Sequence, residues 1–526
     1  MRRADYSHPI KPRSEEAWLL SEWQTECVCT GRAANQLPLG ATPFASSLVP
    51  LTIRLIALIP RIAHLILQFH ATEPTPQSTP EFENNLDQLL RALGREIVQW
   101  VYNHLEPDDP HAMPPHLHFA GDWYRRRKRT PHRHLATLFG TITLWRWLYQ
   151  PIHGIERSIF PLEIRLGIEA HHATPALAER VADWASSCPQ NAVRALLQRD
   201  HGVSWSIDTL RQVTAALSTG MAPYRHAACV VQVLTWLEQA HASKGTRKPV
   251  LAVGRDGTFV PIRDQASYRE AATATISVHD RSGQRLGTLY LGRMPEPGQE
   301  TLSHQLTALI REVWTRWPGP LPRLAYITDA GHHPTEYYDT VLKRMGHPTR
   351  PGERLVWEWV VDYYHACEYI HRMAEELFGA TREGHAWAWK MCRWLKGKPH
   401  GAFRVLHSAA ALRSRHGLHG SKKRFQKAYN YLAHRLPYLN YRRHRQCHLP
   451  IGSGVTEAAC KTEFTQRLKQ AGMSWSIEGG QVIVDLRVIR LSGVWTQVHR
   501  SYLQSKMLPE MRTQQGSGRR KPRKAA

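Results

Sequence analysis

The sequence predicts an α/β protein built on a mixed sheet, with helical segments ahead of it and a long helical insertion inside it. Three observations carry this. Over 249–365, strand and helix patterns follow in the order β-β-β-α-β-α-β. Residues 366–445 then show no strand signal and much aromatic and basic helix. Last comes one amphipathic helix pattern, opening at GSGVTEAACK.

Length and charge bound the rest. A chain of 526 residues is too long for one core, and 42% hydrophobic content with 18 tryptophans can bury a sizeable interior. Lys and Arg outnumber Asp and Glu by 69 − 44 = 25, which favours a polyanionic partner, most often nucleic acid; a merely basic or ribosome-associated enzyme is the bland alternative. The eight cysteines are scattered, and the Cys27–Cys29 pair has no second pair nearby to complete a zinc spacing. A reduced cytosolic protein without structural disulfides is expected. The apolar run 48–69 is interrupted by Pro50, Arg54, Pro60, Arg61 and His64, so it reads as a buried or amphipathic helix pair rather than a membrane span. The first twenty residues lack a signal-peptide core, so a soluble protein is expected.

The elements follow in order. A mainly helical region, 1–120, contains the proline-rich linkers EPTPQSTPEFE and EPDDPHAMPPH, with a helical stretch between them. Region 121–242 opens with the charge run YRRRKR and alternates through TITLWRWLY as a strand or hairpin. It ends in NAVRALLQRDHGVSWSIDTLRQVTAAL, read as a helix, a turn at Gly202, and a second helix capped by Ser206 or Asp208. After the polar break SKGTRKP, VLAVGRD is a strand, and ATATISV and GTLYLGRM are two more joined at Arg281-Ser282-Gly283. TLSHQLTALIREVWTRW is a helix, LPRLAYITD a strand ending in Asp329, TEYYDTVLKRM a helix, and ERLVWEWVVD a strand ending in Asp362. The insertion spans 366–450, the closing part of the sheet domain 451–498, and a basic tail 499–526. Three strands in succession followed by α-β-α-β match the ribonuclease H-like fold; a generic doubly wound domain is the competing reading.

On that fold the strands ending near Asp256 and Asp329 are neighbours, and the last helix can bring Glu457 to them. Glu457 falls in the apolar stripe of Cys460, Phe464, Leu468 and Ala471, which would turn it toward the core. Three converging carboxylates repel unless cations lie between them, and hard oxygen ligands suit two Mg²⁺ or Mn²⁺ ions. Each acid also has a bland reading. An Asp before Gly is commonly a turn residue, and Glu457 can pair with Lys461 one turn on. Asp362 can be a helix cap and His365 a packed side chain, or both can act beside the site.

The segments GRDGTFVP, YITDAGHH, WVVDYYHACEYI and GSGVTEAACKTEFTQRLKQAGMSWS together resemble the transposases of the ISKra group of bacterial insertion sequences, over roughly residues 120–495. The resemblance implies a DDE transposase of the bacterial cytoplasm and nucleoid. Its catalytic, metal-binding residues would be Asp256, Asp329 and Glu457, with Asp362 and His365 as accessories. Transposon-end DNA and target DNA are its implied partners, and self-association is expected from the resemblance alone. Relatives often carry cysteines where this chain reads RWLYQPIHGIERSIFPLEIRLG, so a zinc ribbon is not expected there.

Candidate DNA contacts are Arg125, Arg126, Arg127, Lys128 and Arg129 on phosphate, and Thr209, Arg211 and Gln212 on the second helix of a helix-turn-helix. Lys461 lies about 40° from Glu457 on a helical wheel and can reach a bound phosphate, while Arg467 and Lys469 flank that helix. Trp475 is placed either to stack on a base or to seal the core. A ribonuclease H-fold nuclease without strand transfer and a domesticated DNA-binding regulator are the alternative functions.

Overall fold

The structure is a computed structural model that describes residues 44–153, 157–263 and 268–508. Cys27, Cys29 and the end of the basic tail lie outside the described residues; the other six cysteines are free. The chain divides into two compact units, one ending at Leu89 and one beginning at Leu90.

The first unit holds α1 (Phe44–Ile56) and α2 (Ile59–Ala71). They break just before Pro60, a residue that suits a first helical turn but removes a hydrogen bond from an interior. The expected pair is therefore present, but it is not buried. Ile53, Ile56, Ile59 and Leu67 are exposed, and among the described residues of α1 and α2 Leu51 alone is buried. By length and composition Leu48–Ala71 is apolar enough to cross a membrane, and no other described helix is. Helix α3 (Ser78–Asn103) starts inside the segment read as the first linker.

In the second unit, β1 (His116–Phe119), β2 (Asp122–Thr137) and β3 (Gly140–Pro151) form an antiparallel sheet in that order. The YRRRKR run thus lies on strand β2. Behind the hairpin, α4 (Pro161–Arg165) presents the buried Glu163. Glu163 accepts from His132 Nδ1 at 3.1 Å and His171 Nδ1 at 2.7 Å, and pairs with Arg146 Nε at 2.5 Å. Burial alone would raise its pKa, but the two histidine bonds and the arginine charge outweigh burial and bring it down to about 2. This polar cluster knits together the segment that lacks cysteines.

Next come α5 (Pro175–Ser187), α6 (Gln190–His201) and the long α7 (Ile207–Ala242). Gly202 ends α6 in the left-handed conformation at φ 62°, which glycine adopts without a Cβ penalty, and Ser206 caps α7 by accepting from Thr209 N. The second sheet contains β4 (Val250–Pro261), β5 (Tyr268–His279), β6 (Arg285–Arg293), β7 (Arg323–Thr328) and β8 (Trp357–Val361). Its spatial order is β6-β5-β4-β7-β8. The first three strands pair antiparallel, and β7 and β8 run parallel to β4. The fold class is therefore mixed α/β, with the three-strand start read from the sequence.

Alternation along the strands divides two faces. Gly287 faces Trp236 of α7, and buried Arg255 reaches Ser303 of α8 (Glu300–Arg316), so these helices cover one face. Helix α9 (His332–Thr340) follows β7, with Tyr337 under the Arg255 guanidinium at 4.7 Å. The insertion is helical: α10 (Tyr363–Phe378), α11 (Arg382–Gly397), α12 (Gly401–His416), α13 (Lys422–Ala433) and α14 (Tyr441–Gln446). The chain then returns through α15 (Gly454–Cys460), a π-helical stretch Lys461–Thr465 and α16 (Gln466–Leu468) to the other face. Helices α17 (Ile477–Leu491) and α18 (Trp495–Ser505) complete the described fold.

Candidate active site

Strands β4 and β7 pair in register through Gly254 and Ile327, so Asp256 and Asp329 each stand two residues beyond the last pair of that ladder, while β4 runs on beside β5 to Pro261. Asp329 leaves the sheet in a tight turn. Its Oδ1 accepts from Gly331 N at 2.9 Å, and Ala330 takes a positive φ of 60°. Asp256 Oδ1 accepts from Gly257 N at 2.7 Å. Both acids are half-buried.

Helix α15 lies directly on the strands. A Cβ on Gly254 would come within 1.9 Å of Thr456 Oγ1, and Thr456 Oγ1 is 2.9 Å from Thr275 Oγ1 on β5. Glycine is required here by backbone approach. Glu457 is the next residue after this contact. Burial pushes the Asp256 carboxyl up to about 6, and the Asp329 and Glu457 carboxylates push it the same way, against the Gly257 amide and the Cys460 thiol. Both other acids therefore lie near enough to act on Asp256.

One expectation is corrected: Glu457 does not point into the core. It is exposed, and α15 buries Thr456, Ala459 and Cys460 instead. The winding changes to π over Lys461–Thr465, so a stripe drawn back from Phe464 and Leu468 is out of phase with α15. Ala471, counted in that stripe, lies past the helix and is exposed. The helix does carry a buried acid, Glu463. It is 0% exposed, accepts from Thr273 Oγ1 at 3.0 Å, and burial holds its carboxyl well above the ordinary range. Shut away from solvent, Glu463 packs; Glu457 is the acid of this helix at the open end of the sheet. Among the described residues Glu457 and Lys461 form no ion pair.

Asp362 ties two helix entries together. It is buried, caps α10 by accepting from His365 N at 2.7 Å, and its Oδ2 accepts from both the backbone N–H and the hydroxyl of Ser453. Ser453 Oγ is also 3.0 Å from Glu457 Oε1. His365 packs edge-on against Tyr369 and Tyr431 and lines a groove of about 840 Å³ with Asp329. The insertion contributes two contacts that local sequence pattern does not reveal. Tyr431 Oη donates to Asp329 O at 2.6 Å, and Arg435 Nη2 to Ala330 O at 2.7 Å, so α13 and the residue two beyond its end grip the Asp329 turn.

The acids are not gathered as tightly as the ligands of a single ion. Among the described residues, His332, His333 and Glu336 alone bring three His, Cys or carboxylate ligand atoms within 4.8 Å of one another. Asp256, Asp329 and Glu457 offer hard oxygen donors, the type that divalent ions take.

Several expected DNA contacts are occupied within the protein. Arg467 is 0% exposed; its Nε donates to Ala185 O at 3.0 Å and its guanidinium covers Trp475 at 5.1 Å. Trp475 packs on the core beside it and donates to Leu468 O at 3.0 Å. These two residues hold the end of the helix and line a cavity of about 590 Å³ with Arg211 and Arg263. Arg126 donates to Pro110 O and Met113 O, and Arg129 pairs with Asp108. A bulge between Arg126 and Arg129 leaves Arg127 and Lys128 both outward, with Arg125 also exposed. On α7, Thr209 is engaged with the Ser206 cap, Arg211 pairs with Asp208 at 3.3 Å, and Gln212 meets His172 at 3.1 Å. Lys461 and Lys469 remain exposed. No protein-family model matches the chain, and no curated protein matches it significantly.

Proposed function

We propose that this protein is a DDE transposase: it binds transposon ends, hydrolyses a phosphodiester in a metal-dependent reaction and transfers the freed end to target DNA. The observation that carries this reading is geometric: Asp256 and Asp329 stand side by side just beyond the last β4–β7 pair, and α15, packed on Gly254 through Thr456, carries Glu457 next to that contact. The sheet order β6-β5-β4-β7-β8, with a helical insertion between β8 and α15, supports a ribonuclease H-like catalytic domain. The α6–Gly202–α7 corner supports a helix-turn-helix, although α7 runs on for 36 residues and packs on the sheet domain as well.

In this reading Asp256, Asp329 and Glu457 hold two Mg²⁺ or Mn²⁺ ions. When bound, such ions activate a water or 3′-hydroxyl and neutralise the leaving oxygen. Asp256 must give up its proton to serve, and Ser453 and Asp362 fix the helix that carries Glu457. Lys461, exposed one turn beyond Glu457, contacts the DNA backbone, as do Lys469, Arg125, Arg127 and Lys128. Pairing of two ends in a homo-oligomer, and a place in the bacterial cytoplasm, belong to the same proposal.

The test is strand cleavage of a transposon-end duplex with Mg²⁺ or Mn²⁺. Asp256→Asn, Asp329→Asn and Glu457→Gln each abolish cleavage, whereas Glu463→Gln retains it. Wild-type cleavage by the three variants would sink the mechanism. Pre-cut ends incubated with a target plasmid distinguish strand transfer from a nuclease that only cuts.

A further inference from the structure

The insertion has an extreme charge balance. Residues 384–456 contain 15 Lys and Arg and no Asp or Glu. Among the described residues, two of the 15 pair with a carboxylate: Arg424 with Glu376 at 3.4 Å and Arg443 with Glu358 at 3.9 Å. The rest form no ion pair among the described residues, so the surface keeps a large positive excess that a polyanion would neutralise. Large aromatic side chains stand in the same surface. Trp389 on α11 is 66% exposed and Phe403 on α12 is 62% exposed, although the chain has a core large enough to take them. Two grooves, of about 580 and 1040 Å³, adjoin at Trp394, which lines both. Lys390 and Arg393 border the first and Arg404 the second.

We infer that this outer face of α11 and α12 binds an unpaired DNA strand, with Trp389 and Phe403 stacking on bases and Lys390, Arg393 and Arg404 holding phosphates. A duplex hides its base faces, so cations alone would serve it; exposed aromatic rings gain only where bases are unstacked. The inference rests on the proposed DNA partner but assigns a second surface, whose grooves share no lining residue with the groove at Asp329.

The test uses the full-length protein in EDTA, so that no cleavage intervenes. A labelled oligothymidine of about 16 nucleotides and a duplex of the same length are titrated in turn. The Trp389→Ala, Phe403→Ala double variant is expected to bind the single strand about tenfold or more weakly, with duplex affinity nearly unchanged, and Trp389→Phe to retain binding. Replacing Lys390 and Arg393 by Ala reduces the salt slope for the single strand by roughly 0.7 each. Undiminished single-strand binding in the double variant, or an equal loss on duplex, overturns the inference. Both rings are solvent-facing, so their removal opens no core, and a matching melting temperature checks this. A wild type that cleaves end duplex beside a double variant that binds normally sinks this inference alone. The expected binding losses in a protein that never cleaves sink the transposase reading alone.

Discussion

The Ser453 hydroxyl stands 2.7 Å from Asp362 Oδ2, joining two residues 91 positions apart. Ser453 opens α15 and Asp362 opens α10, so one buried carboxylate sets the entry of both the insertion and the glutamate helix. Asp362→Asn would turn an amide donor toward a donor of Ser453 or His365. The expected cost is about 1–3 kcal/mol of stability, with reduced but measurable cleavage. Thermal unfolding and single-turnover cleavage check this; complete loss of cleavage at full metal affinity would instead make Asp362 a catalytic residue.

Gly254→Ala places a methyl where Thr456 Oγ1 now lies, 1.9 Å from the ideal Cβ position. Neither the strand nor the short α15 can yield without moving Glu457 away from Asp256. Cleavage should fall on the order of a hundredfold, since displacements of about 1 Å at a reacting centre cost that much. Adding Thr456→Gly removes the obstructing hydroxyl and methyl. The double variant should recover much of the activity despite losing the bond to Thr275. No recovery would show that Gly254 acts through something other than this contact.

The raised pKa of Asp256 gives a pH dependence with a definite sign. Its folded value of about 6 exceeds its ordinary 3.8, so its contribution to stability is complete below 3.8 and is lost as pH rises through about 6. Metal binding needs the anion and so releases the proton. The rise in melting temperature on adding Mn²⁺ should therefore be larger at about pH 7.5 than at about pH 5. Asp256→Asn should abolish the difference. An equal rise at both pH values would show that Asp256 takes no part in holding the ion.

Most of the sheet was legible from its apolar strand patterns, and Asp329 marks where β7 ends; the first strand, expected to end near Asp256, instead runs on beside β5 to Pro261. The turn at Arg281-Ser282-Gly283 was legible for a local reason: Asp280 Oδ1 accepts from the amides of Ser282 and Gln284. Orientation on the last helix was not. A wheel assumes one winding, and the π stretch changes the phase between Glu457 and Phe464. Cation types misled for another reason. Arg467 and Lys469 look alike in sequence, yet the backbone carbonyl of Ala185, 282 residues away, satisfies the arginine in the core. The grip of Tyr431 on Asp329 spans 102 residues and leaves no local pattern to read.

Arg467 and Lys461 should consequently separate stability from DNA binding. Burial lowers the Arg467 pKa to about 10, yet its Nε bond to Ala185 O and its cover over Trp475 keep it in place. Arg467→Ala leaves a buried carbonyl unpaired and opens a cavity, so about 2–4 kcal/mol of stability should be lost. The salt dependence of DNA binding should not change. Lys461→Ala and Lys469→Ala remove exposed charges, so the melting temperature should barely move. If each meets a phosphate, the slope of log affinity against log salt should shrink by roughly 0.9 per lysine on duplex DNA. Chemical denaturation and binding at several salt concentrations distinguish the two classes. A reduced salt slope in Arg467→Ala with unchanged stability would return the arginine to the DNA interface.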